Sequence, residues 1–442
     1  MKVTGAIQGS VVLALALLLS ACDGPPRADA ATATAPPPAA TASPAANAEH
    51  ALATADPGGD AAVDQLIRSY VAAAKKSDRA EDWVLLGRAW IRKARETADA
   101  GYYLHARACA EAVLSRDPEH SMALDLLGLT QLSQHRFEDA LSTADRVLAM
   151  KADQIAALGN KSDALLELGR YDEAIAAASS MVDLKPSLPS YSRASYLSWL
   201  SGDEKAALES ARLAIESAND PTDPEPRCYA MVQAAAIFLH KGDYEGADIG
   251  YQRALKDCPD YPPALLGRGR AALALGKADA AVTYLSAAKK GSRSIEILWR
   301  LGDALEASGK KTEAEEMYVE LIKRGEREDP RTVAQFLATK GRDLEKAIAL
   351  ATAEMKERPG IYTEDALAWS LFKAGRTDEA AVLAARSARL GTRDAALLYH
   401  AGAIAMKRGD DKGRGLVERA LELSPAFDPT GVREARALLG RD

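Results

Sequence analysis

The 442-residue chain carries 56 Lys and Arg against 63 Asp and Glu, a net charge of −7, with no basic block along its length. A mixed, mildly acidic surface lacks the clustered cations that phosphate backbones require, so nucleic acid is not expected as a partner. Hydrophobic residues make up 48% of the sequence but aromatics only 5%, and such aliphatic, alanine-rich composition favours a nearly all-helical chain.

At the N-terminus Lys2 supplies a positive charge, Val11 to Leu19 (VVLALALLL) is apolar, and Leu19-Ser20-Ala21-Cys22 ends the run with small residues before a cysteine. The run is far shorter than the roughly 20 residues that span a bilayer, so residues 1–21 are expected to be an export signal. The Leu-Ser-Ala-Cys string resembles the lipobox of bacterial lipoproteins. That resemblance implies cleavage before Cys22 and attachment of diacylglycerol to its sulfur, anchoring the chain to a membrane of the cell envelope and facing it toward the periplasm. Asp23 resembles the signal that keeps enteric lipoproteins in the inner membrane. Other bacteria follow different rules, so the outer membrane stays open.

Residues 22–60 (from Gly24, GPPRADAATATAPPPAATASPAANAEHALATADPGGD) carry proline, alanine and threonine without apolar periodicity. Proline removes backbone donors, and the small residues bury too little surface to offset ordering entropy, so a tether is expected. Semi-extended at about 3.1 Å per residue, it reaches on the order of 100 Å.

A repeat takes over from residue 61. Pro118, Ala152 and Pro186 are spaced 34 residues apart; between them Gly128, Phe137 and Ala140 fill one unit, and Gly169, Tyr171 and Ala174 fill the next. A unit of this length and pattern resembles the tetratricopeptide repeat, a helical hairpin. The resemblance implies an all-α, right-handed superhelical solenoid over 61–442, with about ten hairpins and a C-terminal capping helix over 432–439. The units are expected to begin near Ala80, Ser121, Ile155, Pro189, Cys228, Pro262, Ile295, Glu328, Ile361 and Ala395. Small residues let helices A and B approach closely: Gly128 and Gly302 on helix A, and Ala140, Ala174, Ala247, Ala314, Ala347 and Ala380 on helix B. Gly169, Gly242, Gly276, Gly309 and Gly375 are expected to end helix A in left-handed caps, and Pro118, Pro186, Pro259, Pro359 and Pro425 to follow helix B. Extra residues near ARETADAGYYLH predict an extended loop in the first unit.

By the same resemblance, a fixed set of helix A positions lines a concave surface that binds protein partners. These positions hold Trp299 in the seventh unit, Tyr362, Asp365, Trp369, Phe372 and Lys373 in the ninth, and Tyr399 and Lys407 in the tenth. Aromatics are scarce here, and large aromatics at a groove centre serve as binding anchors. The lysine and asparagine with which some relatives clamp an anionic tail are absent.

No catalytic set, metal or cofactor is expected. Gly267-Arg268-Gly269 follows no strand pattern, and Gly309-Lys310-Lys311-Thr312 lacks the rest of a phosphate loop. The six histidines form no short metal-binding cluster. Cys228 and Cys258 fall at the two ends of the fifth hairpin, which an antiparallel arrangement brings together. Export permits a disulfide there, while two buried thiols acting as small hydrophobes are the alternative. The expected function is a lipid-anchored extracytoplasmic adaptor or scaffold for an envelope complex. A part in polysaccharide secretion or pilus assembly is one alternative. A carbohydrate or small-ligand binder is another, and it would show a closed aromatic pocket instead of an open groove.

Overall fold

A computed structural model describes residues 44–441 except 98, 219 and 222. The signal segment, Cys22 and most of the tether lie outside the described residues. Among those described there are 23 helices and no strand. Helices α1 (Pro44–Ala53) and α2 (Ala62–Ser77) lead into ten hairpins. The first five are α3 (Ala80–Thr97) with α4 (Tyr102–Leu114), α5 (Ser121–Ser133) with α6 (Phe137–Met150), α7 (Ile155–Glu167) with α8 (Tyr171–Leu184), α9 (Leu188–Leu200) with α10 (Glu204–Ser217), and α11 (Glu225–His240) with α12 (Tyr244–Asp257). The second five are α13 (Pro262–Ala274) with α14 (Ala278–Gly291), α15 (Ile295–Ala307) with α16 (Lys311–Glu328), α17 (Pro330–Lys340) with α18 (Leu344–Glu357), α19 (Ile361–Lys373) with α20 (Thr377–Ser387), and α21 (Ala395–Lys407) with α22 (Lys412–Leu423). Helix α23 (Pro429–Leu438) closes the array.

Each hairpin packs on the next, so the chain is an all-helical solenoid. The packing alanines of helix B are buried, as a close helix crossing requires. The third unit shows how sequence makes a hairpin. Gly169 takes φ 71°, a left-handed conformation that costs glycine little, and α8 starts two residues later. In the second unit His135 fills the same place at φ 59°.

Three expectations change. Composition carries the tether to residue 60, but α1 packs against α4, and the Trp90 indole N–H donates to the Ala53 carbonyl at 2.9 Å. The helical array therefore reaches back to residue 44, because Ala53 finds a buried place that composition alone does not reveal. The extra residues of the first unit lengthen α3 to 18 residues instead of forming an extended loop. The fifth and eighth units begin at Glu225 and Pro330, a few residues from the expected Cys228 and Glu328.

The solenoid coils until its turns meet. The interhelix turns of the third, fourth and fifth units lie against the segments that lead into α19, α21 and α23. A Cβ on Gly169 would stand 2.8 Å from the Pro359 carbonyl oxygen, one on Gly202 2.5 Å from that of Gly391, and one on Gly242 2.7 Å from that of Leu423. Glycine is thus required at these turns for close approach as well as for positive φ. Arg358 pairs with Glu167, and Arg393 lies 3.3 Å from Glu204 across the same seam. Within the fifth unit Cys228 and Cys258 form a disulfide, their Cα atoms 6.3 Å apart.

Candidate functional site

Helix A of each hairpin faces the inside of the coil. In the first half, ion pairs are buried there. Arg95 on α3 reaches Glu225 at the start of α11 at 3.2 Å, and the other Glu225 oxygen accepts from the Tyr261 hydroxyl at 2.8 Å. Arg193 on α9 forks onto both oxygens of Asp163 on α7, at 2.8 and 2.6 Å. Burial pushes the Asp163 carboxyl up to about 6 against the pull of Arg193.

From α11 onward a cavity of about 210 Å³ opens. Every later helix A contributes to its wall: His240 from α11, Arg270 from α13, Trp299 and Arg300 from α15, Gln335 and Thr339 from α17, Tyr362, Asp365 and Trp369 from α19, Tyr399 and His400 from α21, and Glu434 from α23.

Most charged groups of this wall are matched to one another. His400 Nδ1 lies 2.9 Å from Asp365, whose carboxyl is pushed up by burial and pulled back by that histidine. Asp394 accepts from the backbone N–H of Ala396 at 2.9 Å, capping α21, and lies 3.4 Å from His240, which burial pushes below its ordinary value. Asp428 caps α23 through the Gly431 N–H at 2.7 Å and lies 3.8 Å from Arg300. Glu434 accepts from the Tyr399 hydroxyl and from Lys373, both at 2.9 Å. Arg270 and Arg300 flank Glu296 at 3.5 and 3.3 Å. Burial raises that carboxyl, but the two guanidiniums overcome it and hold it below its usual range.

The aromatic groups are packed in place. His400 stacks on Trp369 with centroids 4.0 Å apart, Phe372 stacks on it at 5.2 Å, and Tyr399 meets it edge-on at 5.3 Å. Arg300 lies over Trp299 at 4.5 Å and Phe336 meets it edge-on at 5.6 Å. Trp369 is 1% and Trp299 5% exposed, and neither indole N–H has an acceptor among the described residues.

Of the residues expected on a concave face, Trp299, Tyr362, Asp365, Trp369 and Tyr399 line this one cavity. Phe372 and Lys373 stand behind Trp369, and Lys407 is exposed and outside the wall. The seam between turns borders this space on one side. Sequence reasoning left out His240, Arg270 and Thr339, although the positions that select Lys373, Trp369 and Phe372 in the ninth unit select them too. Arg300, Gln335, His400 and Glu434 carry no such signal.

A family profile described as tetratricopeptide repeat matches residues 91–155, 126–189, 232–295 and 266–330. A comparison with curated protein sequences gives no match. Among solved structures, the chain aligns with PilW, described as a widely conserved type IV pilus biogenesis factor, at 18% identity and TM-score 0.40, covering 46% of this chain and 91% of that one. It aligns with a tetratricopeptide repeat protein from Parabacteroides merdae at 17% identity and TM-score 0.40, covering 61% and 98%. Yeast Tom70 aligns at 16% identity and TM-score 0.36, covering 86% and 91%.

Proposed function

The chain carries tetratricopeptide repeats, whose proteins bind protein partners, and we propose that it is a lipid-anchored extracytoplasmic adaptor that receives a segment of a partner protein inside its second half. The observation that carries this reading is the convergence of every helix A from α11 to α23 on one cavity. The Cys228–Cys258 bond supports an oxidising compartment, since structural disulfides are rare where thiols are kept reduced. Leu19-Ser20-Ala21-Cys22 supports the anchor. We assign no catalytic activity, because the titratable groups of the wall are engaged in pairs and caps.

Ala274 lines the cavity and is half-buried, so Ala274→Arg fills the space without removing core. In-cell crosslinking and affinity purification of the full chain should recover a discrete partner that this variant loses, at unchanged melting temperature. Cys22→Ala should move the protein from the detergent phase to the aqueous phase. Equal partner recovery by Ala274→Arg would refute the cavity as the binding place, and detergent-phase Cys22→Ala protein would refute the anchor.

A further inference from the structure

We infer that the cavity takes one lysine side chain of the partner segment, with its ammonium set against Asp394. The inference rests on the partner reading above and names the chemistry of the partner at that site.

The first ground is charge. Asp428 and Glu296 face the guanidiniums of Arg300 and Arg270, Glu434 faces the ammonium of Lys373, and both oxygens of Asp365 lie within 3.0 Å of His400 Nδ1. Asp394 has no such counter-charge. It lines the cavity and is 7% exposed, and among the described residues its only ion-pair neighbour is His240, at 3.4 Å. Burial pushes that imidazole below its ordinary value, so it is neutral at neutral pH. The wall therefore keeps an unbalanced negative charge, and the Tyr362 hydroxyl beside it is pushed well up, first by burial and then by the charge of Asp394. A guest that brings a cation relieves a buried carboxylate of this kind, whereas an anion adds to its cost.

The second ground is shape. Oδ1 of Asp394 accepts from the amides of Ala396 at 2.9 Å and Leu397 at 3.3 Å, which leaves Oδ2 with only the long approach of His240. One free oxygen suits the point charge of an ammonium, while a guanidinium makes its stronger, forked contact with both. Half-buried Tyr362 and Phe427 line the same space and offer apolar surface to the methylenes of a lysine stem.

The test is selection of a displayed random peptide library against the full-length chain in detergent, followed by affinity measurement on the enriched peptides. These should share one lysine, and norleucine in its place should weaken binding to the parent chain about tenfold. Asp394→Asn should weaken the lysine peptide by a similar factor and leave the norleucine peptide unchanged. Asparagine caps a helix as well as aspartate does, so α21 is kept and the melting temperature should not fall. The norleucine comparison uses the parent chain alone and needs no protein variant. Enrichment of arginine, of acidic residues or of uncharged peptides would overturn the inference while leaving the partner reading standing. So would lysine peptides that lose nothing with norleucine or with Asp394→Asn. No enrichment of any peptide would overturn both.

Discussion

The Tyr171 hydroxyl accepts a hydrogen bond from the backbone N–H of Ile361 at 2.8 Å, across 190 residues of sequence. Tyr171 opens helix B of the third unit and Ile361 opens helix A of the ninth, where the first amides of a helix have no partner of their own. Tyr244 repeats the device in the fifth unit, accepting from the Ala426 N–H at 2.8 Å and lying 2.9 Å from the Ser424 hydroxyl. Thr392 bonds the Leu200 carbonyl between them. These contacts hold the two turns of the coil together beside the cavity.

Tyr171→Phe with Tyr244→Phe keeps both rings and strands both amides. Each loss is expected to cost about 1–3 kcal/mol, the range for a buried group left unpaired. Hydrogen exchange should quicken at Ile361 and Ala426 and stay unchanged in α5 and α6, which lie away from the seam. Unchanged exchange at those two amides would show that the seam does not depend on the hydroxyls.

The disulfide supports a second expectation. Cys228 and Cys258 close a loop with a sequence separation of 30, and a loop of that size is worth on the order of 3 kcal/mol through the unfolded chain. Cys228→Ser with Cys258→Ser should lower the melting temperature, and reducing agent should lower that of the parent but not of the variant. Alkylation of both thiols in unreduced, denatured protein would sink the assignment.

The hairpins were legible because each is written locally: a glycine such as Gly169 at its turn, an alanine such as Ala174 at its crossing, a proline such as Pro186 after it. The inward aromatics were legible for the same reason, since a repeat fixes which positions face inward. What stayed hidden is non-local. Nothing near Tyr171 in the sequence announces Ile361, and the seam beside the cavity follows from how far the superhelix winds before its turns touch. The packing of α1 is hidden in the same way, because its partners Trp90 and His105 lie two and three helices further on.

Asp125 carries a pH prediction. It is 7% exposed, Gln154 donates to one of its oxygens at 2.6 Å, and the other has no hydrogen-bond partner. Burial pushes its carboxyl up to about 6 from 3.8. A folded-state value above the unfolded one means that the native state holds the proton more tightly. The associated stability is present below about pH 4 and is lost as pH rises to about 6, amounting to about 2–3 kcal/mol. Asp125→Asn should therefore be more stable than the parent at pH 7.5 by about that amount, with a flatter profile between pH 4 and 6 in urea titrations. Parallel profiles for the two proteins would contradict the burial argument.

Two glycines inside helices should respond with opposite signs to the same change. Alanine in place of glycine in a helix interior normally stabilises by up to about 1 kcal/mol. At Gly415 on α22, which is exposed, an added Cβ would meet nothing within 4 Å, so Gly415→Ala should show that gain. At Gly302 on α15 the Cβ would fall 2.3 Å from a ring carbon of Tyr318. That ring has little freedom to move, because its hydroxyl donates to Asp303 at 2.8 Å and Lys340 lies over its face at 5.0 Å. Overpacking of this kind costs about 1–3 kcal/mol, which exceeds the propensity gain. Gly302→Ala should therefore unfold at lower temperature and lower urea than the parent while Gly415→Ala unfolds at higher. A stabilised Gly302→Ala protein would show that α15 and α16 can separate at little cost, and that the small residue at their crossing is not what sets their spacing.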